Sequence, residues 1–397
     1  MPLRVSSTGH GATSAEGGLL IRTHRLNHVR IDPGRQTADI GPGATWGQVS
    51  AAAARYGLVP LSGTATTVGA VGYTVGGGIS PLSRRYGYAA DHVLDLDLVT
   101  PDGRLRTINT ESEPELFWAA RGAASSLGVV TRMRVRLFPI TTVRAGTLIF
   151  DVDDWAEVLA HYVDWTTGVC DTTSSFLSLK NFPDSPELPE AIRGRRTAAV
   201  SVTSLDSAEA LATSLEPLRR RPPAAGSVTD IPAHELATIF NEPTWPHAFQ
   251  GDAVAAMGVS TAALSGPLAH LSGEVEVPTF LFVHHLGGAM STAPDPPNAI
   301  GNRAASYLVR IVTSPTPTTD PQVTAVEHDR ALRSLSIEPT GRVTNFLFGD
   351  NVSTAPLADC HDAADLPRLA SLVDRVDPDK ILRPARGPIF ATRDQHG

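Results

Sequence analysis

Six glycines fall within the sixteen residues Gly63-Thr-Ala-Thr-Thr-Val-Gly69-Ala-Val-Gly72-Tyr-Thr-Val-Gly76-Gly-Gly78. With so few side chains in the way, backbone N–H and C=O groups there can come close to a flat or charged ligand. No Gly-Lys-Ser/Thr follows, so the run is not a phosphate loop of the nucleotide-hydrolysing kind. It also follows a predicted helix and turn rather than a strand, which separates it from the dinucleotide fingerprint of doubly wound folds. A tight, bulged surface loop would look the same, so the run alone does not decide for a ligand. The second candidate is Ser6-Ser-Thr-Gly-His10-Gly-Ala12, where hydroxyl and glycine residues surround one histidine. Successive N–H groups in such a stretch can form a nest for a pyrophosphate, although a lone histidine near a terminus is more often simply solvated. His284 and His285 lie on one predicted strand whose alternation sends only one of them to a site. The Phe280–Phe282 side, which carries His284, reads as core, leaving His285 as the candidate base; two packed or solvated histidines are the competing reading. Tyr307, with Asp350 behind it, is the other candidate. A base near neutral pKa would contribute on the order of 10²–10⁴-fold in rate.

The elements that must position these residues follow from periodicity. Leu19–Ile21, Val29–Ile31 and Thr37–Ile40 read as short strands bounded by turns such as Asp32-Pro33-Gly34. Thr45 is a predicted N-cap for a helix over Trp46–Tyr56, with Trp46, Val49 and Ala53 at helical spacing and Gly57 as its stop. Val93–Thr100 is a strand turning at Pro101-Asp102-Gly103, Glu113–Arg121 a short helix, and Val129–Leu137 an alternating strand. Beyond about Thr141 the texture changes. Asp154–Trp165, Ser207–Leu218 and Asp320–Leu335 are predicted helices; Phe176–Leu179, Ala198–Val202, Thr279–His284 and Tyr307–Ile311 are predicted strands. This is the pattern of an antiparallel sheet with helices on one face. The last stretch holds a predicted strand, Val343–Phe348, and a helix, Leu366–Val376.

Bulk properties narrow the function classes. The chain has 397 residues, 42% hydrophobic and 19% charged, which suits a folded protein with a substantial core. The formal net charge is −8 and the only basic run is Arg219-Arg220-Arg221, so a nucleic-acid partner is not expected. No apolar run reaches about 18 residues, so no membrane span is expected. Met1–His10 lacks the basic and apolar regions of a secretory signal, so the expected location is the cytoplasm. Two cysteines, Cys170 and Cys360, offer no metal-ligand spacing; two buried thiols are expected rather than a disulfide.

Six pieces occur in order along the chain: Thr-Gly-His10-Gly, Gly41-Pro-Gly-Ala-Thr-Trp-Gly47, the glycine run, Ser83-Arg-Arg-Tyr-Gly87, Leu116-Phe-Trp-Ala-Ala-Arg-Gly122 and Gly128-Val-Val-Thr131. Together they resemble the FAD-binding domain of the vanillyl-alcohol-oxidase/p-cresol-methylhydroxylase superfamily. Asn345-Phe346 followed by Asp377-Pro-Asp-Lys-Ile381 resembles the carboxy-terminal segment of its berberine-bridge-enzyme-like branch, and His285-Leu-Gly-Gly-Ala289 a substrate-domain strand of bacterial relatives. The resemblance implies an α+β, two-domain FAD-binding fold whose substrate domain is an antiparallel sheet covered by helices. Its parts would be 1–140 for FAD, 141–342 for substrate, and 343–397 returning to the FAD domain. FAD would be held by Ser6, Ser7, Thr8, Gly9, His10, Gly11, Thr64, Val68, Gly69, Gly72, Tyr73, Gly76, Gly77, Gly78, Tyr86, Gly87, Gly128, Val129, Val130 and Asn345.

The resemblance further implies that His10 carries the flavin through its 8α-methyl carbon. The cysteine of bicovalent relatives is replaced by Ala65, so attachment would be monocovalent. Val68 falls beside the reactive flavin edge, where a small side chain leaves dioxygen a path. Three departures stand out. The resemblance implies a further front βαβ portion of roughly 30–50 residues, judged by the size of such domains, ahead of Thr-Gly-His, where this sequence starts; either the start is placed too late or part of the adenine side is expected to be absent. The familiar Arg-Gly-Gly-Gly-Gly-Asn-Phe-Gly is Arg121-Gly-Ala-Ala-Ser-Ser-Leu-Gly128. Val343 stands where relatives have a tyrosine base. The expected function is an FAD-dependent oxidoreductase, an oxidase passing a hydride from a small organic molecule to flavin N5 and on to O2. The alternative is a degenerate member that binds without catalysis. Trp118, Phe117 and Arg121 are expected to be structural.

Overall fold

The computed structural model describes residues 1–11, 17–151, 155–186, 188, 190, 193–271, 277–349 and 357–383; Ala12, Asp154 and Asp350, named above, lie outside them. Strands β1 (Leu3–Ser6) and β2 (Leu19–Arg22) pair in parallel, Leu3 opposite Leu19. Leu3 is also held by the other end of the chain: its N–H donates to Ile381 O, and Arg383 N–H donates to Leu3 O, both at 2.8 Å.

The five strands β3 (Val29–Asp32), β4 (Thr37–Ile40), β5 (Val93–Val99), β6 (Leu105–Ile108) and β7 (Val129–Arg136) form an antiparallel sheet in the order β3-β4-β7-β5-β6. Alternation gives it one apolar face, with Ala38, Ile40, Leu96, Leu98, Met133 and Val135 buried under the helices Trp46–Ala54 and Pro114–Ala123. Arg132 ties three strands together by pairing with Asp39, Asp95 and Asp97 at 3.1, 2.6 and 2.7 Å. Thr45 caps the first helix as expected: its Oγ1 accepts from Gln48 N–H, and Gln48 Oε1 accepts from Thr45 N–H. The C-terminal helix Leu366–Val376 returns Leu369 and Leu372 to this same core.

Strands β8 (Thr142–Asp151), β9 (Thr173–Asn181), β10 (Arg196–Ser204), β11 (Val228–Pro232), β12 (Gln250–Ala256), β13 (Thr279–His285), β14 (Tyr307–Thr313) and β15 (Pro339–Gly341) make the second sheet, ordered β11-β8-β10-β9-β13-β14-β12-β15. One face, with Leu177, Leu179, Val200, Val202, Leu281, Val283, Val309 and Ile311, is sealed by helices that include Trp155–Thr166, Ser265–Leu271 and Pro321–Arg333. The opposite face carries Ala253, Ala255 and Leu308, which pack with Ile79 and Tyr88 from the front half.

Several expectations are corrected. The glycine run contains a short helix, Ala70–Val75, and β8, β11 and β12 were not foreseen. Val343–Phe348 is not a strand but a single 3₁₀ turn over Thr344–Phe346. Side-chain bonding explains the turn, because Asn345 reaches across to the glycine run instead of pairing along a sheet edge. Cys360 is buried, but Cys170 is exposed.

Arg84, from the short helix Ser83–Tyr86, crosses between the two sheets. Its Nε donates to Thr173 O (2.9 Å), Nη1 to His285 Nε2 (3.0 Å) and to Leu286 O, and Nη2 to Val169 O (3.2 Å) and Asp171 Oδ1 (2.9 Å). Truncation would leave several buried acceptors without a donor, each costly. The expected effect of Arg84→Met is a loss of about 2–4 kcal/mol in unfolding free energy, read from the urea midpoint. Arg84→Lys should recover only part, since one ammonium cannot reproduce the planar fork.

Candidate functional site

The open face of the second sheet is a grid fixed by register. Phe176, His284 and Leu308 form one row across β9, β13 and β14; Ser178, Phe282 and Arg310 form the next; Lys180, Phe280 and Val312 the third. The row containing His284 lies nearest the front half. Phe346 packs on His284 with ring centroids 5.2 Å apart, and its neighbour Asn345 accepts from Gly78 N–H and donates to Tyr73 O, both at 2.9 Å. A side chain at Gly76 would meet that amide at 3.2 Å, and one at Gly78 would meet the Tyr73 ring at 2.6 Å. The glycines thus let the run fold tightly over Asn345 and Tyr73.

The His10 loop closes the other side. A Cβ at Gly69 would lie 3.2 Å from Ser7 Oγ, so the loop rests directly on the run. Ser7 Oγ donates to Pro42 O at 2.5 Å, and Thr8 Oγ1 accepts from His10 N–H at 3.4 Å. Gly9 and Gly11 both have left-handed φ, +80° and +68°. The exposed His10 ring lies tilted against Phe249 at 4.9 Å, and Phe249 meets Phe348 edge-on at 4.8 Å. Thr64 Oγ1 donates to Glu242 Oε1 at 3.2 Å, joining the run to the loop that ends at Phe249. The result is an aromatic surround of Phe176, Phe249, Phe282, Phe346 and Phe348, with His284, Lys180, Arg310 and Glu242 as its ionisable members.

Comparison with known proteins bears on what this arrangement holds. Residues 1–109 match the family model of the FAD binding domain. The front of the chain is thus similar to the FAD binding domain of FAD-linked oxidoreductases. (R)-6-hydroxynicotine oxidase of Paenarthrobacter nicotinovorans is 31% identical over 182 residues, 45% of this chain and 37% of the relative. An uncharacterized FAD-linked oxidoreductase of Bacillus subtilis is 28% identical over 252 residues, 61% of this chain and 53% of the relative. These matches therefore span from about a third to about half of the relatives' own length. Among solved structures, 6-hydroxy-D-nicotine oxidase from Arthrobacter nicotinovorans has a TM-score of 0.82 at 20% identity, over 99% of this chain and 87% of that chain. A BBE-like protein of Physcomitrella patens has a TM-score of 0.84 at 17% identity, over 98% and 87%. The α+β fold of these solved structures is therefore the fold of this chain.

The residues present fit a flat cofactor of the kind that the matched FAD binding domain takes. Tyr73 Oη, both ring nitrogens of His284 and Arg310 Nε are buried without a hydrogen-bond partner, although buried polar atoms normally have one. No atom lies within 4 Å of a Cβ at Gly9 or Gly72, so these glycines border open room. Ser6, Ser7, Thr8, Gly9, His10, Gly11, Thr64, Val68, Gly69, Gly72, Tyr73, Gly76, Gly77, Gly78 and Asn345 all belong to this assembly of loop, run and clamp. The others lie outside it. Tyr86 lies on Phe138 (4.3 Å), Gly87 (φ +85°) turns beside Asp91, Gly128 packs against Val99 O, and Val129 and Val130 belong to β7. A cleft elsewhere, between Thr100–Glu115 and the C-terminal helix, pairs Arg106 and Arg375 with its own carboxylates and holds none of these residues.

The two proposed bases are placed otherwise than expected. Alternation had assigned His284 to the core and His285 to the site, and the structure reverses the faces. His285 stacks on Tyr307 (5.6 Å) on the helix-covered side, and Tyr307 Oη donates to Thr166 Oγ1 at 2.7 Å. Arg84 can only donate, so His285 Nε2 accepts and its proton sits on Nδ1. Its one basic nitrogen is already engaged. Lys180, Glu242, Arg310, Phe176, Phe282 and Phe346 were missed. The signal for them was that Phe280, Phe282 and His284 alternate with equally apolar Leu281 and Val283, as in a strand covered on both faces.

Burial, with Arg84 adding to it, pushes the His285 pKa down to about 3, and burial pushes His284 well below the usual histidine value. Protonation of these bases is therefore linked to unfolding. Their contribution to stability is complete above the unfolded value near 6.5 and is lost as pH falls toward 3. Unfolding free energy is expected to drop between pH 7 and pH 5 by up to about 1.4 kcal/mol per unit for each linked histidine. His285→Asn should flatten that slope in urea titrations, and an unchanged slope would remove His285 from the account.

Proposed function

We propose that this chain is an FAD-dependent oxidase of small organic molecules, with FAD attached through His10 alone. Residues 1–140 would form its cofactor unit, 141–342 its substrate unit, and 343–397 the return segment. The observation that carries this reading is that the His10 loop and the glycine run, both within the matched FAD binding domain, border one aromatic-lined face rich in unmet buried polar atoms. The oxidase names of relatives and structural neighbours support the same direction. FAD, when bound there, supplies hydride acceptance and return of the electrons to dioxygen.

The chain's own contribution is positioning, exclusion of water and handling of the proton. Phe176, Phe282 and Phe346 supply flat apolar walls. Ala65 leaves no thiol for a second link, consistent with monocovalent attachment. His285 and Tyr307 give up the role of base to groups on the open face. Burial, reinforced by Arg310, lowers the Lys180 pKa from the ordinary lysine value, in the direction a proton acceptor near neutral pH requires. Neutral His284, with no protein partner, is placed to orient the substrate through a hydrogen bond.

The deciding measurement is the visible spectrum before and after acid precipitation. Yellow colour that stays with the precipitate, and that His10→Ala releases to the supernatant, is the expected result. Colour released from the unaltered protein would remove the covalent link. A colourless chain that cannot be loaded with FAD would favour the alternative, a binding protein without catalysis. Val68, half-buried beside Gly69, bears on the oxygen step. Val68→Leu is expected to slow reoxidation of the reduced protein by dioxygen in stopped flow, and an unchanged rate would remove Val68 from that role.

A further inference from the structure

Arg310 stands at the centre of the open face, opposite Phe282 on β13 and Ala253 on β12. Its guanidinium lies over the Phe282 ring at 4.4 Å and the Phe346 ring at 4.8 Å. Aromatic faces satisfy the flat sides of a guanidinium but not its edge, where five N–H donors lie in one plane. Nε is buried with no hydrogen-bond partner, and the described residues supply no ion pair to the side chain. Other inward-facing arginines are treated differently. Arg84 reaches three carbonyls and a carboxylate, Arg121 reaches the carbonyls of Phe117, Pro296 and Pro297, and Arg303 pairs with Asp91 at 2.6 Å. The carboxylate that acts on Arg310 is Glu242, which is exposed and accepts from Thr64. Lys180 lies one row away on the same face.

A half-buried cation set against two aromatic rings, with a buried and unmet Nε–H, calls for an anion that arrives from outside. We infer that Arg310 receives a carboxylate on the substrate, so that the substrates of this chain are small, flat organic acids. The inference rests on the open face being the substrate side of the proposed oxidase. Two coplanar oxygens match the guanidinium edge, and the walls of Phe176, Phe282 and Phe346 suit an unsaturated or aromatic body. The flavin ring is the other possible source of negative character. Register favours the substrate: His284 and Asn345 border the glycine run, and Arg310 lies one row farther along the sheet.

Benzoate is the probe, and its neutral isostere benzamide the control, both titrated by calorimetry into the purified protein with FAD content measured separately. The expected result is saturable benzoate binding, with benzamide at least about tenfold weaker, because a site built to pair a charged edge rejects the analogue lacking it. Arg310→Met should weaken benzoate about tenfold or more at unchanged FAD content, and Arg310→Lys should keep part of the affinity. Equal binding of benzoate and benzamide overturns the inference without any variant being made. So does unaltered benzoate binding by Arg310→Met, or loss of FAD from both variants, which would assign the cation to the cofactor. A colourless unaltered protein would count against the flavin reading alone, since calorimetry needs no chromophore and still decides for or against the carboxylate.

Discussion

A buried guanidinium must find an acceptor for every N–H it hides from water, and Arg84 finds them on the other half of the molecule. Carbonyls of Val169, Thr173 and Leu286 and the ring of His285 all come from the second sheet or its flanking turns. Because these acceptors have fixed directions, the bond set determines where β9 and β13 end relative to the front half. That in turn decides which face of β13 looks toward the glycine run. The same bonds hold His285 in one tautomer, so a single side chain both docks the sheets and takes a histidine out of the chemistry.

A second constraint acts from the opposite side. Asn345 uses its carbonyl on Gly78 and its amide N–H on Tyr73, bracketing the end of the short helix inside the glycine run. The glycines are needed there because a side chain at Gly78 would collide with both Tyr73 and Ala89. Phe346, carried by the same turn, is thereby set against His284 and Arg310. The glycine run and the open face of the second sheet thus share one three-residue turn, and neither can shift without moving the other.

Much of this was legible before the fold was known, and the failures have a common cause. The Thr45 cap, the Leu366–Val376 helix and the strand at β7 follow from local chemistry: a side chain accepting an N–H, or a period that buries one stripe. The His10 loop and glycine run stood out because so many small residues in a row are rare outside close backbone contacts. His284 and His285 were exchanged because alternation shows that two faces differ, not what covers each. Phe280 and Phe282 look the same in sequence whether a helix or a ligand lies over them. Arg310 and Lys180 were overlooked for a related reason, since a cation on a strand normally marks the solvent side. Thr344–Phe346 was taken for a strand because no local signal announces that Asn345 bonds to a segment far away in sequence.

The pairing of β1 with residues at the other end of the chain has a consequence for assembly. Leu3 exchanges hydrogen bonds with Ile381 and Arg383, so the strand leading into the His10 loop completes its pairing only after those residues exist. Closing so long a loop is entropically slow, and topologies dominated by such contacts fold late and cooperatively. On the ribosome, this strand would emerge long before it could settle. Any group joined to His10 would then be joined after synthesis, to a chain whose second sheet is already in place.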